Sequence, residues 1–293
     1  MGPTGARLEE PELTAASTSP TTARGDAVEF RILGRLEVVL DGRAVDLRAT
    51  KVRSLLAMLL TNPNQVVSAE RLADGLWGDD RPESAVNTLQ GYVSQLPKAL
   101  GGERIQTRPP GYVLTVDEDR IDVGRFERLL GEGRRAKASE DPGGAADLLA
   151  QALELWRGEA LADFTYAEWA QAEIARLREL YLVATEECIE ARLDLGQHHE
   201  LLSELEALLA GHPLRGRLWA ARILALYRSG RQADALRSYQ ELREVLSEEL
   251  GIAPSPPLVA LEASVLRQRA SLEWRPQTDS ASHLPVALDV RRP

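Results

Sequence analysis

Between Ser84 and Lys98 the chain spaces Ser84, Asn87, Thr88, Gly91, Ser94, Gln95 and Lys98 so that, at helical periodicity, they share one side. Asn and Gln carry a donor and an acceptor side by side, Ser and Thr hydroxyls do both, and Lys adds one cation. None is activated for covalent chemistry. The set suits hydrogen bonding to a patterned polar surface such as base edges, and a glycine lets a backbone come close to it. A further cation, Arg108, precedes Pro109-Pro110-Gly111, a stiff turn. The same face composition is equally what a solvated surface helix shows, so the surrounding elements must decide.

Those elements read as follows. Residues 29–33 and 36–40 have strand character, and Asp41-Gly42 turns the chain before Ala44-Val45-Asp46-Leu47, predicting an antiparallel sheet. Thr50 is the expected cap of a helix from Lys51, with Val52, Leu55, Leu56, Leu59 and Leu60 as its apolar stripe and Asn62-Pro63-Asn64 as its stop. Ser68 caps a second helix through Trp77. Pro82 is placed in the first turn of a third helix whose Val86, Leu89, Val93, Leu96 and Leu100 point inward. Residues 105–107 and 112–116 then form a hairpin around Arg108-Pro109-Pro110-Gly111. Sheet, three helices and hairpin make a winged helix-turn-helix, in which the third helix enters the major groove and the wing reaches a neighbouring groove or backbone.

From Asp122 to Gln268 the pattern is helical almost throughout, so the expected boundary lies near residue 117. Gly196 and Gly230 open related segments 34 residues apart, the tetratricopeptide period. The fold class expected is mainly α: an α+β winged domain over 28–116, then an all-α tetratricopeptide-like domain over 120–269. Residues 1–27 read as a disordered leader and 270–293 as a disordered tail.

Charge first argues against a nucleic-acid partner, since 35 basic against 45 acidic residues leave −10. The excess is unevenly placed: residues 117–293 hold 22 basic and 31 acidic groups, whereas residues 26–116 hold 11 of each. Arg43 to Arg53 carries four cations and one acid. Local sign therefore permits what the total discourages, and an isolated winged domain is expected to bind DNA with less dependence on sequence than the whole chain.

Other chemistry is poorly supported. A lone cysteine excludes an intramolecular disulfide and a multi-cysteine zinc site. Cys188 falls in an apolar stripe running from Ile174 to Leu195 and is expected to be core, while His198 and His199 at a hairpin turn are expected to be solvated. There is no G-x-x-x-x-G-K-[ST], H-E-x-x-H or G-x-S-x-G sequence. No enzyme activity, cofactor or metal is expected. With no apolar run of membrane-spanning length and no signal peptide, the expected location is the cytoplasm, away from membranes.

Taken in order, Ile32-Leu33-Gly34, Leu76-Trp77-Gly78, Tyr92-Val93-Ser94, Pro109-Pro110-Gly111-Tyr112, Leu155-Trp156-Arg157-Gly158, His212-Pro213-Leu214-Arg215, residues 226–231 and Glu249-Leu250-Gly251 resemble the Streptomyces antibiotic regulatory protein family over about residues 28–269. The resemblance implies an OmpR-type DNA-binding domain followed by a bacterial transcriptional activation domain. It implies an activator of antibiotic or other secondary-metabolite genes, bound to direct repeats in double-stranded DNA, associating with itself there and engaging RNA polymerase and its sigma factor. Carried over by position, the DNA-binding residues are Asn87, Thr88, Ser94, Gln95, Lys98 and Arg108.

Two departures stand out. Where the family has an arginine-rich end to the third helix, this chain has Ser94-Gln95-Leu96-Pro97, losing two cations. Pro97 removes a donor and costs about 3 kcal/mol inside a helix, so a kink there or an end at Leu96 is expected. Gly216 also stands where the family often has an acidic residue. A protein-binding adaptor whose winged domain has lost DNA binding is the alternative reading.

Overall fold

The computed structural model describes residues 28–100 and 104–275, except the side chains of 97–99. The expected leader and residues 276–293 of the expected tail lie outside the described residues. Strands β1 (Val28–Arg31), β2 (Glu37–Leu40) and β3 (Arg43–Ala44) form an antiparallel sheet in that order, with Val28 opposite Leu40 and Arg31 opposite Glu37. Positive φ at Asp41 (48°) and Gly42 (77°) makes the tight turn its twist requires. Strand pairing ends sooner than expected, at Ala44, with one further bond from the Val45 amide to the Val38 carbonyl.

Next come α1 (Thr50–Leu60), β4 (Val67–Ser68), α2 (Ala69–Trp77), α3 (Ala85–Leu100), β5 (Ile105–Arg108) and β6 (Gly111–Leu114). Thr50 is not the cap of α1. The cap position is Ala49, which offers no side-chain acceptor, and Thr50 is already helical. Ser68 does cap α2, its hydroxyl accepting the Arg71 amide at 3.1 Å. Pro82 precedes α3 instead of lying in its first turn, and its carbonyl accepts the Ala85 amide. That start turns Ala85 inward and leaves Val86 50 % exposed, against the expectation that Val86 packs.

Nor does α3 end at Leu96. It continues to Leu100, and Leu96 and Leu100 on either side of Pro97 are both fully buried. Burying a leucine contributes about 1.5–3 kcal/mol, enough to offset a missing backbone bond.

The rest is helical: α4 (Asp122–Ala138), α5 (Pro142–Glu154), α6 (Glu168–Asp194), α7 (His198–Gly211), α8 (Gly216–Arg228), α9 (Gln232–Leu250) and α10 (Pro256–Leu266). Sequential neighbours α4–α5, α5–α6, α7–α8 and α8–α9 pack together. Gly196 and Gly230, at φ 86° and 75°, make the turns before α7 and α9. Hydrophobic packing divides inside α6. One core joins the winged segment to α4, α5 and α6 as far as Cys188; the other begins at Ile189 and runs through α10.

Polar contacts reinforce the first core. Asp122 is 1 % exposed and accepts the Ile32 and Leu33 amides at 2.8 and 2.9 Å. Burial pushes its carboxyl above the usual range, against the pull of those amides and of Arg157. Arg157 itself spans Glu37, Asp122 and the Arg35 carbonyl. Nearby, Asp163 accepts from Arg35, the Leu36 amide and Arg53. Burial alone would raise the Asp163 carboxyl, but those hydrogen bonds and the charge of Arg53 outweigh it and hold it low.

Cys188 is buried as expected. His198 is not solvated: it is 8 % exposed and packs edge-on against Trp274. The Trp274 indole donates to the Asp194 carbonyl at 2.8 Å, and Arg228 donates to the carbonyls of Leu193 and Leu272. Residues 270–275, assigned from sequence to a disordered tail, are therefore docked, Ala270–Leu272 against α8 and Trp274 against Gly196 in the α6–α7 turn.

Asp122→Ala removes the acceptor of two buried amides and is expected to cost about 3 kcal/mol, measured by chemical denaturation. Asp163 has a depressed native pKa, so its stabilisation is complete above the unfolded carboxyl value, about 4, and is lost as pH falls through the native one. The stability gap between wild type and Asp163→Asn should accordingly narrow below about pH 4.

Candidate nucleic-acid interface

The wing is fixed to α2 by backbone contacts. In the second sheet, ordered β4-β6-β5, Val67 pairs with Tyr112 and Arg108 with Gly111. The Ala69 amide, at the start of α2, donates to the Pro110 carbonyl at 3.1 Å. Only glycine fits at 111, since a Cβ there would lie 1.9 Å from the Val67 carbonyl oxygen. Asn64, at φ 60°, donates through its backbone amide to the Leu114 carbonyl and exchanges side-chain bonds with the Val116 backbone. The stop signal after α1 thus also ties down the outgoing strand of the wing.

α3 is held by its inner face and by aromatic stacking. Ala85, Leu89, Leu96 and Leu100 are buried, and Tyr92 stacks on Trp77 with ring centres 6.1 Å apart. The Lys51 ammonium donates to the Leu76 carbonyl, joining α1 to the end of α2. Asn87, Gln90, Gly91, Ser94 and Gln95 consequently face solvent, while Thr88 is half-buried.

The sequence-derived site residues separate into two kinds. Thr88 donates to the Ser84 carbonyl, and Ser94 and Gln95 donate to the Gly91 carbonyl at 2.8 and 3.2 Å. These three side chains lie along their own helix. Asn87 is exposed and has no side-chain hydrogen bond among the described residues. So is Gln90, which sequence reasoning omitted although it lies one turn before Ser94 on the same face. Lys98 belongs to α3, and its side chain lies outside the described residues. Arg108 is exposed at the wing, 3.3 Å from the Gln106 side-chain oxygen.

The basic stretch from Arg43 to Arg53 is less available than its count suggests. Arg53 is committed to Asp163, Lys51 to the Leu76 carbonyl, and Arg48 pairs with Asp46. Sequence proximity hid this, because the carboxylate that takes up Arg53 lies 110 positions away.

Elsewhere, burial pushes the Cys188 thiol up, which disfavours a reactive thiolate. Burial, Arg228 and His199 push His198 down. Among the described residues no group of three His, Cys, Asp or Glu side chains is placed to hold a metal, and no helix is long and apolar enough to cross a membrane.

A winged helix with a polar, outward-facing third helix, fused to paired helices, defines a transcriptional regulator. Residues 42–114 match the family described as transcriptional regulatory protein, C terminal, and residues 121–266 the bacterial transcriptional activator domain. DnrI of Streptomyces peucetius, a regulatory protein, is 37 % identical over 272 residues, covering 89 % of this chain and all of DnrI. AfsR of Streptomyces griseus is 37 % identical over 94 % of this chain, which spans only 28 % of AfsR. The structure of Mycobacterium tuberculosis EmbR with a low-affinity phosphopeptide superposes with a TM-score of 0.80 at 35 % identity, over 83 % of this chain and 66 % of EmbR. The chain belongs to the Streptomyces antibiotic regulatory protein family.

Proposed function

We propose that this regulator is a sequence-specific DNA-binding activator: α3 lies in the major groove, the wing touches the adjoining backbone, and the helical half engages RNA polymerase and its sigma factor. The observation that carries the reading is the face of α3. It is anchored by four buried side chains, presents Asn87 and Gln90 without side-chain partners among the described residues, and has no acidic residue from Ser84 to Leu100. Amides of this kind read adenine bidentately in the major groove, and a wing cation meets phosphate. The expected targets are direct repeats near promoters of a secondary-metabolite cluster, with protomers head to tail about one turn apart and in contact with one another. Its working place is the cytoplasm, and it needs no cofactor.

Footprinting of the full chain on promoters adjoining its own gene tests this. Protection of a direct repeat supports it. Absence of protection at low salt, with folded protein, would sink it and favour a protein-binding adaptor. The full chain is the right material, because cutting near residue 117 strips the Ile32 and Leu33 amides of the carboxylate they donate to.

Asn87→Ala is expected to cost about 1–3 kcal/mol on the operator and relax preference at one base pair. Arg108→Ala should weaken all duplexes alike and reduce the salt slope by about 0.9. Pro97→Arg should tighten operator binding and steepen that slope by a similar amount, read in a mobility-shift titration at several salt concentrations.

A further inference from the structure

Gly91 sits in the interior of α3, exposed, and a Cβ built on it would meet no atom within 4 Å beyond its chain neighbours and the adjoining helical backbone. Packing explains other glycines of the fold. A Cβ at Gly133 would lie 2.8 Å from the Leu149 side chain, and one at Gly75 would strike Met58. Gly91 has neither that constraint nor a positive φ. Inside a helix glycine is less favourable than any residue but proline, so alanine would serve the isolated fold better. Nothing within the described protein requires Gly91 to lack a side chain.

Gly91 lies one turn from both Asn87 and Ser94 on the exposed face. Ser94 and Gln95 are folded onto the Gly91 carbonyl, and Thr88 onto that of Ser84. The middle of the face is therefore a shallow saddle, floored by Gly91 and by the Ser94 and Gln95 side chains laid back on its carbonyl, with the amides of Asn87 and Gln90, unpartnered among the described residues, beside it.

We propose that this saddle is where the floor of the DNA major groove approaches the protein most closely, and that Gly91 sets how deeply α3 enters. The inference rests on the reading of α3 as a DNA-binding helix. The occupant follows from the face, which pairs donor-acceptor amides with no carboxylate. A Cβ would add about 1.5 Å of height, the length of a Cα–C bond. That is enough to stretch a 2.9 Å hydrogen bond from Asn87 or Gln90 past its useful range. Gly91 is a positioning residue for base readout.

The test compares full-length wild type, Gly91→Ala, Gly91→Leu and Gly131→Ala. Gly131 is a control: it lies inside α4, where a Cβ would meet only the Arg135 guanidinium at 3.8 Å. The probes are a labelled duplex carrying the site that wild type selects from a random 30-base-pair pool, and an unrelated duplex of equal length. Gly91→Ala should raise Tm by about 2 °C while weakening the selected duplex about tenfold or more. Gly91→Leu should weaken it further. Both should bind the unrelated duplex within about twofold of wild type, because phosphate contacts carry that binding. Gly131→Ala should raise Tm and leave affinity alone. Undiminished affinity of Gly91→Ala for the selected duplex, or a fall in its Tm, overturns the inference while leaving DNA binding intact. If wild type selects no duplex, the DNA-binding reading fails and takes the inference with it.

Discussion

The Asp122 carboxylate governs how the two halves of this chain meet. It begins α4, the first long helix of the C-terminal half, yet its oxygens are taken up by the amides of Ile32 and Leu33 just beyond β1. Those amides leave the sheet ladder after Arg31, and without an acceptor they would be buried donors in a dry region, a costly condition. Arg157 closes the arrangement from the α5–α6 connection, and its own amide donates to the Leu33 carbonyl at 2.8 Å. Around this polar centre lies the apolar core shared by β1, β2, α1, α4 and α6. The winged segment is consequently set in one orientation on the helices behind it.

That orientation matters because α3 has to satisfy two demands. Its inner face buries leucines through the turn containing Pro97, while its outer face carries no carboxylate and has no side chain at Gly91. The wing is located independently, through β4 and the start of α2. Helix and wing are therefore presented by backbone bonds and stacked rings, so their spacing is a property of the fold and not of mobile surface side chains.

Charge follows the same logic. Much of the acid in the helical half is paired: Glu186 is 4 % exposed between Arg215 and Arg217, and Glu190 bridges Lys137 and Arg217. The cations nearest α1 are likewise committed within the protein. Among the described residues of the winged half, Arg31, Arg35 and Arg81 are paired with carboxylates as well.

Periodicity alone determined much of this protein. The buried stripes of α1 and α3, the hairpin with Arg108 at its tip, Ser68 as a cap and the turns at Gly196 and Gly230 all depend on interactions within a few residues, which local spacing encodes. Where local signals competed, tertiary structure decided. Proline at 97 argued for a break, but the burial of Leu100 carried the helix through it. Val86 fitted the apolar spacing, yet the start of the helix at Ala85 turned it outward. The docking of Trp274 on Gly196, the burial of His198 against Trp274 and the capture of Arg53 by Asp163 join residues 76 to 110 positions apart in the chain. No local pattern specifies such partners, because their free energy exists only once packing has excluded water between them.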